Sequence, residues 1–346
     1  MEKHKIAKGC AEYADDMAYV ASVRGSEGLR GKHAVITGAG GLLGVMLTDA
    51  LLSAGCRVTA VVRDKSRLSG RLDDHAGEEA FGIVEQDVTS PLPEALRPDY
   101  VIPLASNTHP LAYSEHPVET MMTNIMGARG ALELARATGA RVLYPSSVEI
   151  YGNARGADVF TEDYTGSLNL GTARSCYNES KRASEAMCQS YAKEYGVSVR
   201  IARLSRVFGP TMLSSDTKAS SQFILKALAG EDIVLKSNGE QRFSYTYVAD
   251  AAAAMLHILL NGEDGEAYNV SSRKTDVRLK DFAAMCAEQC GRKVVFDLPS
   301  EAEAAGYSKA TVALMDGSKL ERTGFEPRYE MRDAIRRTIE ILRKSR

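Results

Sequence analysis

Apolar and polar positions along this chain follow two alternating periods. Short apolar runs recur at His33–Thr37, Arg57–Val62, Phe81–Gln86, Tyr100–Leu104, Arg141–Pro145 and Val197–Leu204, each of strand length. Between them, Leu42–Ala54, Val118–Thr138 and Tyr177–Tyr195 repeat apolar residues at helical spacing. Strands alternating with helices predict an α/β fold with a doubly wound parallel sheet. The character changes past Gly209-Pro210, where short pieces follow one another: Ser220–Leu228 helical, Ile233–Leu235 extended and Asn238-Gly239 a turn. Tyr247-Val248-Ala249-Asp250 then leads into an apolar helix at Ala251–Leu260, followed by Tyr268–Val270, Leu279–Cys290, Val294–Asp297 and a last amphipathic helix near Met331–Arg343. The expected division is a cofactor domain over 31–210, to which 243–275 returns, and a smaller mixed α/β lobe over 211–242 and 276–346. Residues 1–30 form an N-terminal helical extension. Its Ile6, Cys10, Tyr13, Met17 and Val20, three and four apart, predict an amphipathic helix against the main body. No chemistry is assigned to it.

Composition narrows the class without choosing a function. At 346 residues, 44% hydrophobic and 25% charged, the chain is an ordinary globular one, long enough for a large domain and a lobe. A formal net charge of -2 gives no support for a nucleic-acid partner. No apolar run reaches the roughly 18 residues that span a bilayer, and the N-terminus lacks the apolar segment of a signal peptide. The six cysteines show neither C-x-x-C nor pairing with histidine at zinc spacing, so no metal site is expected. Reduced thiols in a cytoplasmic protein are the expectation.

The first strand runs straight into G-A-G-G-L-L-G, with Gly38, Gly41 and Gly44 at three-residue intervals and Leu42-Leu43 opening the helix. Strand, glycine turn, helix and second strand are the context of dinucleotide binding. Glycines let the backbone approach a pyrophosphate, and the helix N-terminus presents free N–H groups to it. The second strand ends in Val62-Arg63-Asp64. A guanidinium grips a 2′-phosphate and a carboxylate repels one, so Arg63 tilts the choice of NAD or NADP toward NADP, with Asp64 as the opposing feature. Later strand ends bring further candidate cofactor contacts: Asp87-Val88, Leu104-Ala105-Ser106, and Asn124 on the long helix.

Candidate chemistry lies in R-S-C-Y-N-E-S-K-R, Arg174–Arg182. Tyr177 and Lys181 are one helical turn apart, so their heads reach one small volume, and an ammonium beside a phenol favours the phenolate. The alternative is a plain helix-surface pair, and the upstream glycine turn weighs against it. Ser147, at the end of the fifth strand in S-S-V-E-I-Y-G, is either a hydroxyl that orients the reacting oxygen or an ordinary turn serine.

With G-x-x-G-x-x-G, S-S-x-E-x-Y-G, Y-x-x-x-K and Y-V-x-D together, residues 31–340 resemble the extended short-chain dehydrogenase/reductases that act on nucleotide sugars. The resemblance implies a Rossmann core, a nucleotide-sugar-binding C-terminal lobe and a Tyr177/Lys181/Ser147 centre that moves hydride between the sugar C4 and a nicotinamide. Val148 stands where the 4,6-dehydratases carry their acid, which argues against water elimination. Glu149 stands where many 4-epimerases carry a small apolar residue. Arg174–Arg182, Ser147-Val148-Glu149 and the helix Ser221–Leu228, with Gln222, are most similar to the UDP-glucuronate decarboxylases. The likeness implies Glu149 as a fourth catalytic residue, Arg174, Arg206, Gln222 and Arg242 at the substrate, and a homodimer through Val118–Thr138 and Tyr177–Tyr195.

The chain departs from that pattern at four places. The loop after the second strand lacks D-N-F-F-T-G, and Pro103 replaces a histidine. Arg206 stands in the place of an asparagine, as either a substrate clamp or a surface-paired arginine. Arg242 lies one residue out of register with a phosphate-binding arginine four before Tyr247. A 4-epimerase and an NADPH-dependent 4-keto-sugar reductase share the same centre. A non-catalytic cofactor-sensing scaffold on the same fold is the more distant reading.

Overall fold

The computed structural model describes residues 6–93, 95–108, 110–154, 156, 159–298 and 312–345. The first five residues of the N-terminal extension and 299–311 of the expected lobe lie outside them. The described strands are β1 (His33–Thr37), β2 (Arg57–Val62), β3 (Phe81–Glu85), β4 (Tyr100–Pro103), β5 (Arg141–Ser147), β6 (Val159–Phe160), β7 (Val199–Leu204), β8 (Arg206–Phe208), β9 (Ile233–Leu235), β10 (Arg242–Tyr247), β11 (Ala267–Val270), β12 (Asp276–Arg278), β13 (Val294–Phe296) and β14 (Val312–Met315). The helices used below are α1 (Ala11–Ala21), α2 (Leu42–Ser53), α3 (Pro110–Glu115), α4 (Pro117–Thr138), α5 (Cys176–Tyr195), α6 (Ala219–Leu228), α7 (Val248–Asn261), α8 (Leu279–Glu288) and the C-terminal helix Met331–Lys344.

A seven-stranded sheet in the order β11-β7-β5-β4-β1-β2-β3 forms the centre, and each neighbouring pair is parallel. The continuous apolar runs follow from coverage on both faces. Along β1, Ala34 and Ile36 pack on the side that holds α2 and α7, while Val35 packs on the other side with Val101, Val142 and the α4 residues Ala131 and Leu132. Strand order reverses between β1 and β4, which opens a crevice at their carboxyl ends. This is the Rossmann-type doubly wound sheet expected from the sequence.

A second sheet carries the order β12-β10-β14-β6, with β8 paired to β10, and β9 and β13 form a separate parallel pair. Residues 243–247, assigned from sequence to the segment returning to the first domain, run in this second sheet, parallel to β8 and β14. The return is made by α7, whose residues from Val248 to Leu259 are all buried, and by β11 beside β7.

The N-terminal helix does more than cover a surface. Asp16 of α1 is fully buried and accepts hydrogen bonds from Tyr247 (2.5 Å), Tyr329 (2.7 Å) and Arg337 (2.6 Å). Three segments distant in sequence therefore meet on one carboxylate. Tyr19 of α1 also donates to Asp250 at 2.8 Å, and that carboxylate takes the backbone N–H groups of Arg328 and Tyr329 as well. All six cysteines are free thiols. Among the described residues no helix is long and apolar enough to cross a membrane.

Candidate active site

The glycine turn after β1 is shaped by contacts that exclude a side chain. Gly38 has φ +69°, and a Cβ there would lie 2.7 Å from the backbone nitrogen of Ala105 after β4. A Cβ on Gly44 would lie 2.4 Å from the Gly38 carbonyl oxygen. Gly41 donates its N–H to Gly38 at 2.9 Å and precedes α2 in extended conformation. Leu42 opens α2, and Leu43 is buried in the core beside it. A buried arginine overlooked from sequence, Arg71, secures the turn. Its Nε donates to the Gly40 carbonyl at 2.7 Å and its Nη2 to that of Thr211. Burial lowers its pKa to about 10. Thr211 in turn donates to the Leu42 carbonyl at 2.7 Å. This cradle, at the N-terminus of α2, fits the pyrophosphate of a dinucleotide.

The other strand ends reach the same edge. Leu104 and Ala105 donate their N–H groups to the carbonyl and hydroxyl of Thr37, both at 3.1 Å, which ties the β4 loop to β1. The Asn124 amide is engaged at both ends, accepting from Ser106 at 2.6 Å and donating to Ser180 at 2.8 Å, so it pins the β4 loop onto α5. Asp87 accepts from the Thr89 N–H and hydroxyl, both 2.8 Å, which holds its carboxyl below the usual range. Val88 is buried against α4, where a Cβ on Gly127 would touch it. Arg63 donates to Glu119 at 2.7 Å with both side chains about two-fifths exposed (40% and 43%), and Asp64 accepts from the Ser66 N–H.

Ser147, Tyr177 and Lys181 come together where β5 ends against the first turns of α5. Tyr177 and Lys181 are both buried. The Lys181 ammonium donates to the Pro145 carbonyl at 2.8 Å, 5.9 Å from the centre of the Tyr177 ring. Burial pushes the Tyr177 phenol up to about 12. Ser147 and Arg174 pull against that rise and Glu149 adds to it. Burial outweighs the lowering expected from Lys181. Its head is turned to a backbone carbonyl, and its own pKa is lowered to about 8 by burial. Tyr113 of α3 stacks on Tyr177 at 4.8 Å between ring centres, and the Arg174 guanidinium lies 4.7 Å above Tyr113. Glu149 is held by Asn178, whose amide donates to its carbonyl (2.7 Å) and its carboxylate (3.1 Å), with Arg174 at 3.5 Å. Asn178 lies inside the motif quoted from sequence, and only the fold reveals that it faces Glu149.

Three of the expected substrate residues lie on α6, β10 and β8. Gln222, on the first turns of α6, donates to the Asp216 carbonyl at 2.6 Å. Arg242 opens β10 with its side chain exposed, opposite Arg278 in the antiparallel register. Arg206 opens β8, and its guanidinium carbon lies 3.8 Å from the centre of the Phe243 ring. Arg174 lies beside Glu149 and Tyr113, whereas Arg206 lies on Phe243.

A sequence model of the NAD dependent epimerase/dehydratase family matches residues 34–271, from β1 to the end of β11. The chain belongs to that family. Its curated relatives include UDP-glucuronic acid decarboxylase 1 of Xenopus tropicalis, 32% identical over 90% of this chain and 72% of the relative. The corresponding protein of Danio rerio is 36% identical over 66% of this chain and 54% of its own length. Among solved structures, UDP-glucose 4-epimerase of Thermotoga maritima, with UDP-glucose, superposes with a TM-score of 0.77 at 22% identity, covering 90% of this chain and 99% of that one. A dTDP-glucose 4,6-dehydratase of Bacillus anthracis in complex with NAD gives 0.75 at 17% identity, covering 90% and 97%. These likenesses establish the fold, and the family membership establishes that the chain is built as an enzyme of this type.

Proposed function

We propose that this protein is a nucleotide-sugar enzyme that oxidises the sugar at C4, with decarboxylation of UDP-glucuronate as its reaction. The observation that carries the reading is the meeting of Ser147, Tyr177 and Lys181 at the end of β5, next to the glycine cradle. The printed names of the decarboxylase relatives support the choice of reaction, as does Glu149, kept in place by Asn178. When bound, a nicotinamide dinucleotide supplies the hydride acceptor and donor. Gly38, Gly41, Gly44, Leu42, Leu43 and Ala105 would hold its pyrophosphate, with Asp87, Val88, Leu104, Ser106 and Asn124 lining its way.

Tyr177 takes the proton from the sugar 4-hydroxyl and returns it, and Ser147 donates to the same oxygen. Lys181 keeps a positive charge under the site. A uronic acid with a 4-ketone is a β-keto acid. Its C5–C6 bond breaks with the electron pair drawn into the ketone, carbon dioxide leaves, and C5 then takes a proton. Glu149 positions the ring for that step. NADP is the finer cofactor choice, resting on Arg63, whose exposed pair with Glu119 is cheap to open. A cytoplasmic homodimer through α4 and α5 completes the reading. Val118 and Met122 of α4, 72% and 45% exposed, supply apolar area for it.

The test combines the cofactor that co-purifies with the protein and the mass of the product from UDP-glucuronate. Retained oxidised cofactor and a product lighter by one carbon dioxide are expected. Bound NADPH with the uronate returned unchanged would move the assignment to a 4-keto-sugar reductase. Interconversion of UDP-glucose and UDP-galactose would make it an epimerase.

A further inference from the structure

Arg206 is a cation without a carboxylate partner among the described residues, and its Nη1 is shielded from solvent without an acceptor among them. A shielded donor left unmatched is destabilising, so the arrangement suits an acceptor that a ligand brings. The guanidinium is nevertheless held in place. Its carbon sits 3.8 Å from the Phe243 ring centre, and a guanidinium stacked on a ring keeps its in-plane N–H groups available to an anion.

Its position also favours a ligand. β8 starts two residues past Leu204, which lies opposite Ser147 across β5 and β7, so Arg206 stands at the strand edge that carries the catalytic centre. β8 and β10 pair with Arg206 opposite Tyr245, and the side chain reaches back to Phe243, two residues earlier. Phe243 lies four residues before Tyr247, where the proteins this chain resembles carry their phosphate-binding arginine on β10. Arg242, the arginine next to it, has its side chain exposed to solvent.

We propose that Arg206 is the diphosphate clamp of this protein, delivered from β8 onto the spot that a β10 arginine would otherwise reach, with Phe243 as its aromatic support. The two sequence departures at 206 and 243 are then one change. The charge moved to the neighbouring strand, and the vacated position became the plate on which it rests. The inference rests on the nucleotide-sugar reading above and names the residue that recognises the nucleoside diphosphate. Carboxylate recognition is assigned elsewhere, because Arg206 lies on Phe243 of β10 while Arg174 lies beside Glu149.

The test is calorimetric binding of UDP, UMP and uridine, with no turnover involved. Arg206→Gln should weaken UDP on the order of 10- to 100-fold and uridine little, since one charge-assisted donor set is lost. Arg206→Lys should fall between, and the exchanged pair Arg206→Asn with Phe243→Arg should regain most of the UDP affinity. Melting of each variant guards against misfolding. Removing a charge whose shielded nitrogen has no acceptor should leave Tm level or raise it. Unchanged UDP affinity with a lowered Tm for Arg206→Gln would overturn the proposal in favour of a structural arginine. Unchanged UDP affinity with a lost preference for UDP-glucuronate over UDP-glucose would overturn it in favour of a carboxylate clamp. Wild-type protein that binds its dinucleotide but no UDP would overturn the nucleotide-sugar reading itself.

Discussion

The glycine turn after β1 and the Arg206–Phe243 pair between β8 and β10 are built on opposite plans. The turn is backbone against backbone: Gly38 approaches Ala105, and Gly44 approaches the Gly38 carbonyl, at distances that admit no Cβ. The pair is side chain upon side chain, a guanidinium resting on a ring. A backbone surface recognises a shape common to all dinucleotides and tolerates almost no variation, so its glycine pattern is legible in a single sequence. A side-chain surface can exchange charge between neighbouring strands while the ligand position stays fixed, so its residues look like departures until the strands are paired.

The largest effect should come from the rigid side. Gly44→Ala should weaken dinucleotide binding on the order of 100-fold, because backbone carbonyls rather than flexible side chains meet the new methyl. Retained affinity, read by calorimetry, would show that the turn can shift and that the two plans are less distinct. Next, Arg71→Met leaves the Gly40 and Thr211 carbonyls without their donor and should destabilise the protein by about 2 kcal/mol, read by denaturant unfolding. A silent substitution would mean that the turn holds itself without the arginine.

A smaller effect concerns the joint where α1 meets α7. Burial raises the Asp250 pKa to about 6, well above the usual carboxylate range. The folded protein therefore holds this proton more tightly than the unfolded chain does. Its contribution to stability is fully present below the unfolded value and is lost as pH climbs to about 6. Unfolding measured across this window should show that fall, and Asp250→Asn should flatten it. The smallest effect belongs to Arg63→Ala. Stability should change by less than about 1 kcal/mol, because an exposed ion pair is involved, while the affinity ratio of NADP to NAD should fall. An unchanged ratio would remove the reason for choosing NADP.

How much of this was readable beforehand divides along the same line. The strands β1, β2, β5 and β7 announce themselves because both faces are covered and most positions are apolar. α5 announces itself by the single Tyr177–Lys181 spacing. Strands β6, β8, β12 and β14 are two to four residues long, too short for an alternation to be seen. Contacts across great sequence distance were hidden for a different reason. Asp16 with Arg337, Arg71 with Thr211, and Asn178 with Glu149 are paired by the fold alone, and no local pattern marks them. Burial of the Tyr177 phenol is not visible in spacing either. One turn brings Lys181 near, but its ammonium is spent on the Pro145 carbonyl, and burial decides the phenol's pKa.

The central claim is that Tyr177 moves the proton at the sugar C4. It is tested most directly by comparing Tyr177→Phe with the wild type on UDP-glucuronate, following carbon dioxide release and UDP affinity together. The account predicts a fall in kcat on the order of 100- to 10,000-fold with UDP affinity unchanged within about twofold. Substantial carbon dioxide release by Tyr177→Phe with well-bound substrate would contradict it.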